Sequence, residues 1–287
     1  MSMKKGKIII VNQKKFAWQK RNLRRSGANN LQVICDFDRT ITKCFNNGKR
    51  TASLIGILRE KNYLGDDYVK KSKKLFNYYH PIEINSKISL AEKKKKMTQW
   101  WKEHFSLLIS SGLTKDIAEK AMTEAESHLR PGGKEFFRIL DEKKVPLLIF
   151  SAGGLGQESI RIFLRKRGLL HEKTYIVANY FIWDKFGRLI AIEEPIIHVY
   201  NKDEAILDKF PFYNEVRKRK NVIVIGDSLG DAKMAKGMPH DEVLKIAFLN
   251  EDCNSHLNPY RKAFDVVILG DSSFSFINQL LKYIFRY

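Results

Sequence analysis

The sequence predicts an α/β protein: a largely parallel sheet with helices on both faces, and a helical insertion after its first long strand. Three observations carry this. The runs Leu31-Gln32-Val33-Ile34-Cys35, Pro146-Leu147-Leu148-Ile149-Phe150 and Val222-Ile223-Val224-Ile225 are apolar, of strand length, and each ends in small or acidic polar residues. From about residue 130 onward, such runs alternate with amphipathic stretches, as in βα units that feed a parallel sheet. Between 46 and 129 no strong strand signal occurs and helical periodicity dominates.

Taken in order, residues 12–25 carry Phe16, Trp18 and Leu23 among many bases and predict a helix running into Ser26-Gly27. The first strand is expected at 31–37. Helices follow over 52–61, 66–78, 90–108 and 115–128, with Ser89 and Thr114 as N-caps followed closely by an acidic residue. In the third of these, Met97, Trp100, Trp101, Phe105 and Leu108 recur at helical spacing, a stripe that alone reads as core. After Arg130-Pro131-Gly132-Gly133 the expectation is a helix at 134–143, a strand at 145–150 and a helix at 157–167 closed by Gly168. Strands at 174–183 and 188–192 flank Asp184-Lys185-Phe186-Gly187, a hairpin signal. Helix 202–209, strand 221–226, helix 231–236, strands 243–249 and 265–269 and a helix at 273–285 complete the order. The expected organisation is a core built from 1–45 and 130–287, with 46–129 as a helical cap.

Composition bounds the function. A hydrophobic fraction of 44% and a charged fraction of 29% are ordinary for a globular chain of 287 residues, long enough for a sizeable core. The net charge of +20 is not ordinary. Residues 1–30 hold Lys4, Lys5, Lys7, Lys14, Lys15, Lys20, Arg21, Arg24 and Arg25 with no acid, and Lys93 to Lys96 form a second cluster. Such a field concentrates anions, whether nucleotides, nucleic acid or acidic membrane, without selecting among them. Three cysteines, Cys35, Cys44 and Cys253, form no framework and point to a reducing compartment. The apolar run Ile8-Ile9-Ile10-Val11 is too short for an export signal and no run reaches membrane length. A cytoplasmic protein without a membrane partner is expected; the oligomeric state is open, with a monomer the simplest reading.

The chemistry lies at the strand ends. Asp36 and Asp38 are two residues apart, so on an extended chain both leave on one side, and Asp227 and Asp231 join them if the two strands are neighbours. Four carboxylates in one cleft repel, and a cation relieves them. Oxygen-only ligands suit a hard ion such as Mg²⁺, and no His/Cys cluster has zinc spacing. A carboxylate can accept a phosphoryl group as an aspartyl-phosphate, while a second one protonates the leaving oxygen and then deprotonates water. Ser151 and the backbone amides of Ala152-Gly153-Gly154, just ahead of a helix, can hold phosphate oxygens, and Lys202 can balance the transition-state charge. Each residue alone reads as a turn, loop or surface group. Their common position at strand ends, in this order, describes one phosphoryl-transfer site.

This constellation resembles the haloacid dehalogenase superfamily of phosphatases, with Asp36-Phe37-Asp38-Arg39-Thr40 as first motif, Ser151 as second, Lys202 as third and Gly226-Asp227-Ser228-Leu229-Gly230-Asp231 as fourth. More narrowly, residues 31–38, Asn47-Gly48-Lys49-Arg50, Phe150-Ser151-Ala152-Gly153, His198-Val199-Tyr200-Asn201-Lys202 and Gly226-Asp227-Ser228 resemble the cytosolic pyrimidine 5′-nucleotidase (5′-nucleotidase III) family, over roughly residues 20–270. The resemblance implies a Rossmann-like core and Mg²⁺-dependent hydrolysis of nucleoside 5′-monophosphates, pyrimidines preferred. It implies Asp36 as nucleophile and Asp38 as general acid/base. The implied metal site comprises the Asp36 side chain, the Asp38 carbonyl and Asp227, with Asp231 in support. Ser151, Ala152 and Lys202 would contact phosphate. Glu83 falls where the family's cap offers a glutamate to the base, although one extra residue precedes it here, and Trp101 falls at an aromatic position that can stack on the base. His104 stands where a small residue is expected near the ligand.

Two rivals follow. One keeps the chemistry and changes the substrate to 7-methylguanosine monophosphate, or to a phosphorylated amino acid or sugar; Trp101 favours a flat ring. The other, of a different class, is a nucleic-acid-binding protein on a phosphatase-like core, suggested by the basic segment at 4–25. The complete set Asp36, Asp38, Lys202 and Asp227 argues against it.

Overall fold

The computed structural model describes residues 6–85, 87–123 and 128–286. The short run that was too brief for an export signal forms a strand, β1 (Ile8–Ile10). The chain then enters α1 (Gln13–Ser26), where the Asn12 side chain accepts from the Lys15 amide at 2.9 Å and Gly27, at φ 73°, ends the helix. One face of α1 is buried, through Phe16, Gln19 and Leu23. All six residues of β2 (Leu31–Asp36) are buried. A small hairpin, β3 (Phe45–Asn46) and β4 (Lys49–Arg50), turns at Asn47-Gly48, both at positive φ. Helices α2 (Leu54–Glu60), α3 (Gly65–Ile84), α4 (Leu90–Ser110) and α5 (Lys115–Thr123) follow. The Ser53 and Ser89 side chains cap α2 and α4.

Alternation then begins: α6 (Gly133–Glu142), β5 (Leu147–Phe150), α7 (Gly156–Arg165), β6 (Thr174–Val177), β7 (Phe181–Trp183), β8 (Leu189–Ile192), α8 (Tyr213–Val216), β9 (Asn221–Gly226), β10 (Glu242–Leu249), α9 (Cys253–Ala263), β11 (Val266–Leu269) and α10 (Ser275–Phe285). Seven strands make the main sheet in the order β1-β11-β10-β9-β2-β5-β6. Only β1 runs antiparallel; the other pairings are parallel. Central parallel strands are covered on both faces, hence their near-continuous apolar sequences. Side chains alternate between two cores: Val33, Cys35, Ile223 and Ile225 pack on one face, and Ile34, Leu148, Val222 and Val224 on the other. Asp36 pairs with Phe150 and Cys35 with Ile225, so β2, β5 and β9 end level and deliver their following residues to one edge. Among the described residues no helix is long and apolar enough to cross a membrane.

Several expectations are corrected. The 174–183 segment is two strands: β6 joins the main sheet, while β7 pairs antiparallel with β8. Asn179 makes the break, since its side chain accepts from the Ile197 amide at 2.8 Å and donates to the Ile197 carbonyl at 3.0 Å, turning the chain away from the sheet. The helices expected at 202–209 and 231–236 are short 3-10 turns at 204–209 and 231–233. Helix α3 continues through Pro81 to Ile84 instead of stopping at 78. Strand β1, the β3–β4 hairpin, α8 and α9 carry no strong periodicity and escape the sequence reading. The helix expected over 115–128 reaches Thr123; residues 124–127, and Lys4 and Lys5 of the basic segment, lie outside the described residues.

Candidate active site

Asp36 is the last residue of β2, and the backbone beyond it turns sharply, with Asp38 extended and Arg39 at φ 60°. A non-glycine residue in that left-handed region needs support. Arg39 receives it: its amide donates to Thr42 Oγ1 at 2.8 Å, and its carbonyl accepts from the Arg130 guanidinium and from Asn250 Nδ2 at 3.0 Å. Arg130 is fully buried, donates from Nε to the Thr40 carbonyl at 2.7 Å and pairs with Asp271 at 3.2 Å. The Asp271 carboxylate accepts in turn from the Cys44 and Phe45 amides at 2.9 and 3.1 Å. Read from sequence, Arg130 marks a boundary; in the fold it is the strut under the Asp36–Asp38 turn.

The loop after β9 supplies two more carboxylates. Asp231 Oδ2 accepts from the Asp227 amide at 3.2 Å, the Ser228 amide at 2.9 Å and Ser228 Oγ at 2.8 Å. Its other oxygen lies 2.9 Å from Lys202 Nζ, which also bonds Asp36 Oδ1. After β5, the Gly153 amide donates to Ser151 Oγ at 2.9 Å, and the loop opens into α7.

Electrostatics in this cluster is severe. Burial, above all, together with Asp231 and Asp38, raises the Asp36 carboxyl to about 7 in spite of the opposing Lys202. Burial and then Asp36 and Asp231 push Asp227 well up. Burial pulls Lys202 down, but Asp231 and Asp36 outweigh it and raise it, so the ammonium stays charged. Asp36, Asp227 and Asp231 each offer an oxygen within 4.8 Å of the others. One lysine cannot neutralise three clustered carboxylates, two of them buried. A hard divalent cation with oxygen ligands fits this donor set.

All ten residues singled out from the sequence, Asp36, Asp38, Glu83, Trp101, His104, Ser151, Ala152, Lys202, Asp227 and Asp231, line one cavity of about 320 Å³. Helices α3 and α4 form its far wall. Trp101 has the Trp100 and Phe105 rings as neighbours, with centroids 5.9 and 5.4 Å away, and packs so tightly on Gly154 that a Cβ there would come within 2.7 Å of the indole. His104 is buried beneath it, 3.4 Å from the Tyr68 hydroxyl, and burial followed by the nearby Arg59 lowers it to about 3, leaving a neutral imidazole. Glu83 Oε2 is 3.0 Å from His80 Nδ1, and the His80 ring stacks on Phe76 at 4.7 Å. Sequence reasoning missed His80, Phe76 and Arg59, which also line the cavity. The i, i+3 spacing of His80 and Glu83 on a helix is the signal that could have found the pair. The same loop that carries Lys202 clasps the helices: the Tyr200 hydroxyl donates to the Glu83 carbonyl at 2.5 Å, as does Lys93 Nζ at 2.8 Å, and His198 Nε2 lies 3.0 Å from Thr98 Oγ1.

A family model described as Pyrimidine 5′-nucleotidase (UMPH-1) matches residues 39–285. The chain belongs to the pyrimidine 5′-nucleotidase family. It is an enzyme of the 5′-nucleotidase class, a phosphoric monoester hydrolase. The 7-methylguanosine phosphate-specific 5′-nucleotidase A of Xenopus laevis is 34% identical over 263 residues, which cover 91% of this chain and 90% of its own. The corresponding Homo sapiens enzyme is 34% identical over 263 residues, covering 91% of this chain and 87% of its own. The crystal structure of cytosolic 5′-nucleotidase IIIB bound to cytidine matches with a TM-score of 0.88 at 29% identity, covering 97% of this nucleotidase and 94% of that chain. A phosphoserine phosphatase with a TM-score of 0.53 at 20% identity shares the fold, so the core is of the haloacid dehalogenase type.

Proposed function

We propose that this nucleotidase hydrolyses nucleoside 5′-monophosphates, pyrimidines preferred, to nucleoside and phosphate, in a Mg²⁺-dependent reaction that passes through an aspartyl-phosphate on Asp36. One observation supports this most: a Lys202-bridged carboxylate cluster shares a single cavity with the Trp101 ring and the Glu83 carboxylate. The first suits a phosphate and the second a flat, polar-edged ring.

In this reading an Asp36 oxygen attacks phosphorus while the bond to the 5′-oxygen breaks and Asp38 gives that oxygen its proton. Asp38 then takes a proton from water, whose oxygen attacks the acyl phosphate and frees Asp36. Ser151 Oγ and the Ala152 amide donate to the phosphate oxygens, and Lys202 balances their charge. The Asp36 and Asp227 side chains and the Asp38 carbonyl, with Asp231 in support, would hold Mg²⁺, which when bound supplies further positive charge against the phosphate. The segment 46–129 acts as the cap that selects the substrate: Trp101 stacks on the base, Glu83 accepts a hydrogen bond from its amino edge, and neutral His104 lies beneath.

A second reading has 7-methylguanosine monophosphate as the preferred substrate, and the names of the Xenopus and human relatives favour it. A methylated purine ring bearing positive charge gains from an indole face and a nearby carboxylate. The experiment is phosphate release from cytidine, uridine and 7-methylguanosine monophosphates and from ribose 5-phosphate, with Mg²⁺ and with chelator. Rapid release from a nucleotide, little from the base-free ester and none in chelator are expected. Equal release from all four overturns the base-reading cap, and full activity in chelator overturns the metal site.

A further inference from the structure

The net charge is +20, and part of it lies on the pole opposite the acidic cluster of the active site. Asp36, Ser151 and Asp227 stand at the carboxyl ends of their strands, whereas α1 lies across the amino ends: Lys15 pairs with Asp265 at 2.5 Å, just before β11, and Gln19 Nε2 donates to the Val243 carbonyl near the start of β10 at 3.0 Å. With Phe16, Gln19 and Leu23 turned inward, the face opposite them carries Lys14, Trp18, Arg21 and Arg25, spaced four, three and four residues apart, all exposed. Trp18 is 53% exposed, an indole in water with cations on both sides. Beyond the end of α1, Arg219 donates to the carbonyls of Ala28 and Leu31 at 2.7 and 3.2 Å, and so brings the exposed Arg217 and Lys218 alongside. None of Lys14, Arg21, Arg25, Arg217 and Lys218 has an ion-pair partner among the described residues.

We propose that this pole binds single-stranded nucleic acid, with the five cations pairing phosphates and Trp18 stacking on a base. The α1 stripe is about 16 Å long at 1.5 Å per residue, enough to follow several nucleotides of an extended strand. Stacking on an aromatic ring accepts any base but requires an unpaired one, which selects single strands over duplex. An anionic membrane is the weaker fit: interfacial helices insert an apolar face, and that of α1 is already buried in the core.

The test uses the full chain and a fluorescent oligouridylate of about a dozen nucleotides, its anisotropy followed from about 50 to 200 mM salt. Binding that weakens with salt, with a log–log slope near −3.5 for five phosphate contacts, is expected. The triple variant Lys14→Glu, Arg21→Glu, Arg25→Glu should lose most binding. Trp18→Ala should weaken it about tenfold or more without changing the salt slope. Both variants should keep wild-type melting and nucleotidase activity, because the residues are exposed and remote from Asp36. No binding at the lowest salt, undiminished binding by the triple variant, equal affinity for duplex, or retention by phosphatidylserine vesicles but not by oligonucleotide would each overturn the proposal. DNA in place of RNA separates the two sugar chemistries.

Discussion

Gly226 and Asp231 approach so closely that a Cβ on the glycine would stand 2.2 Å from the Asp231 Cβ. The absent side chain lets the loop after β9 fold back, so that Asp231 can accept from the Asp227 and Ser228 amides and still meet Lys202. Gly226→Ala should therefore destabilise the protein by about 1–3 kcal/mol, as overpacking does. It should also lower phosphate release at least about a hundredfold, because it moves a charge partner of Lys202. Urea unfolding beside a phosphate assay measures both; wild-type turnover in the variant would mean that Asp231 can shift freely.

Asp36→Asn should abolish turnover without loss of stability. An amide is a poor nucleophile, and the buried carboxyl it replaces is already raised to about 7 by burial and its acidic neighbours. Lys202 retains Asp231 as partner. Metal-free melting should stay level or rise, while stabilisation by Mg²⁺ shrinks. Residual activity near wild type would remove Asp36 from the nucleophile role.

Exchange of Mg²⁺ for Ca²⁺ should lower activity strongly. Ca²⁺ takes more ligands in a looser shell and can engage both oxygens of a carboxylate, leaving none to attack. Rates under the two ions at matched occupancy decide this, and equal rates would contradict it.

Glu83→Ala should reduce kcat/KM for cytidine monophosphate about ten- to a hundredfold more than for ribose 5-phosphate, the size of a lost charge-assisted hydrogen bond of about 1.5–3 kcal/mol. If both substrates fall equally, Glu83 is structural, a role its carbonyl already fills for Lys93 and Tyr200.

Two buried histidines should weaken the fold on the acid side, against the raised Asp36 and Asp227 carboxyls, which gain protons on folding and act in the opposite sense. Burial lowers His104 to about 3 and His198 to about 4, against an ordinary value of 6.5. Above 6.5 both are neutral folded and unfolded, and their burial costs nothing in protonation. Below it the unfolded chain takes up protons that the fold refuses, so stability drops by up to about 1.4 kcal/mol per pH unit for each histidine until the folded values are reached. His198 accepts from the Tyr200 amide at 3.2 Å, which fixes its neutral form. Because those carboxyls act over the same range, the test is the difference between proteins: the change in urea midpoint from pH 7 to 5 should be less destabilising in His198→Gln than in wild type. An unchanged difference would assign the acid sensitivity elsewhere.

The strands that matter, and the residues standing at their ends, can be read along the chain. An apolar run followed by Asp36-Phe37-Asp38, by Ser151-Ala152-Gly153 or by Gly226-Asp227 is a local pattern, and burial on both faces of a parallel sheet writes it into contiguous residues. Periodicity likewise marked α4 with Trp101 and Phe105. The tertiary structure alone decided that β9 lies beside β2, which brings Asp227 and Asp231 to Asp36 across nearly two hundred residues of chain. It alone turned Arg130 from a boundary residue into the buried strut of the turn after β2, split 174–183 at Asn179, and gave β1 its place at the sheet edge. The physical reason is common to all of these: each depends on a partner distant in sequence that satisfies a buried polar group or an open strand edge, and no local period records which partner that is.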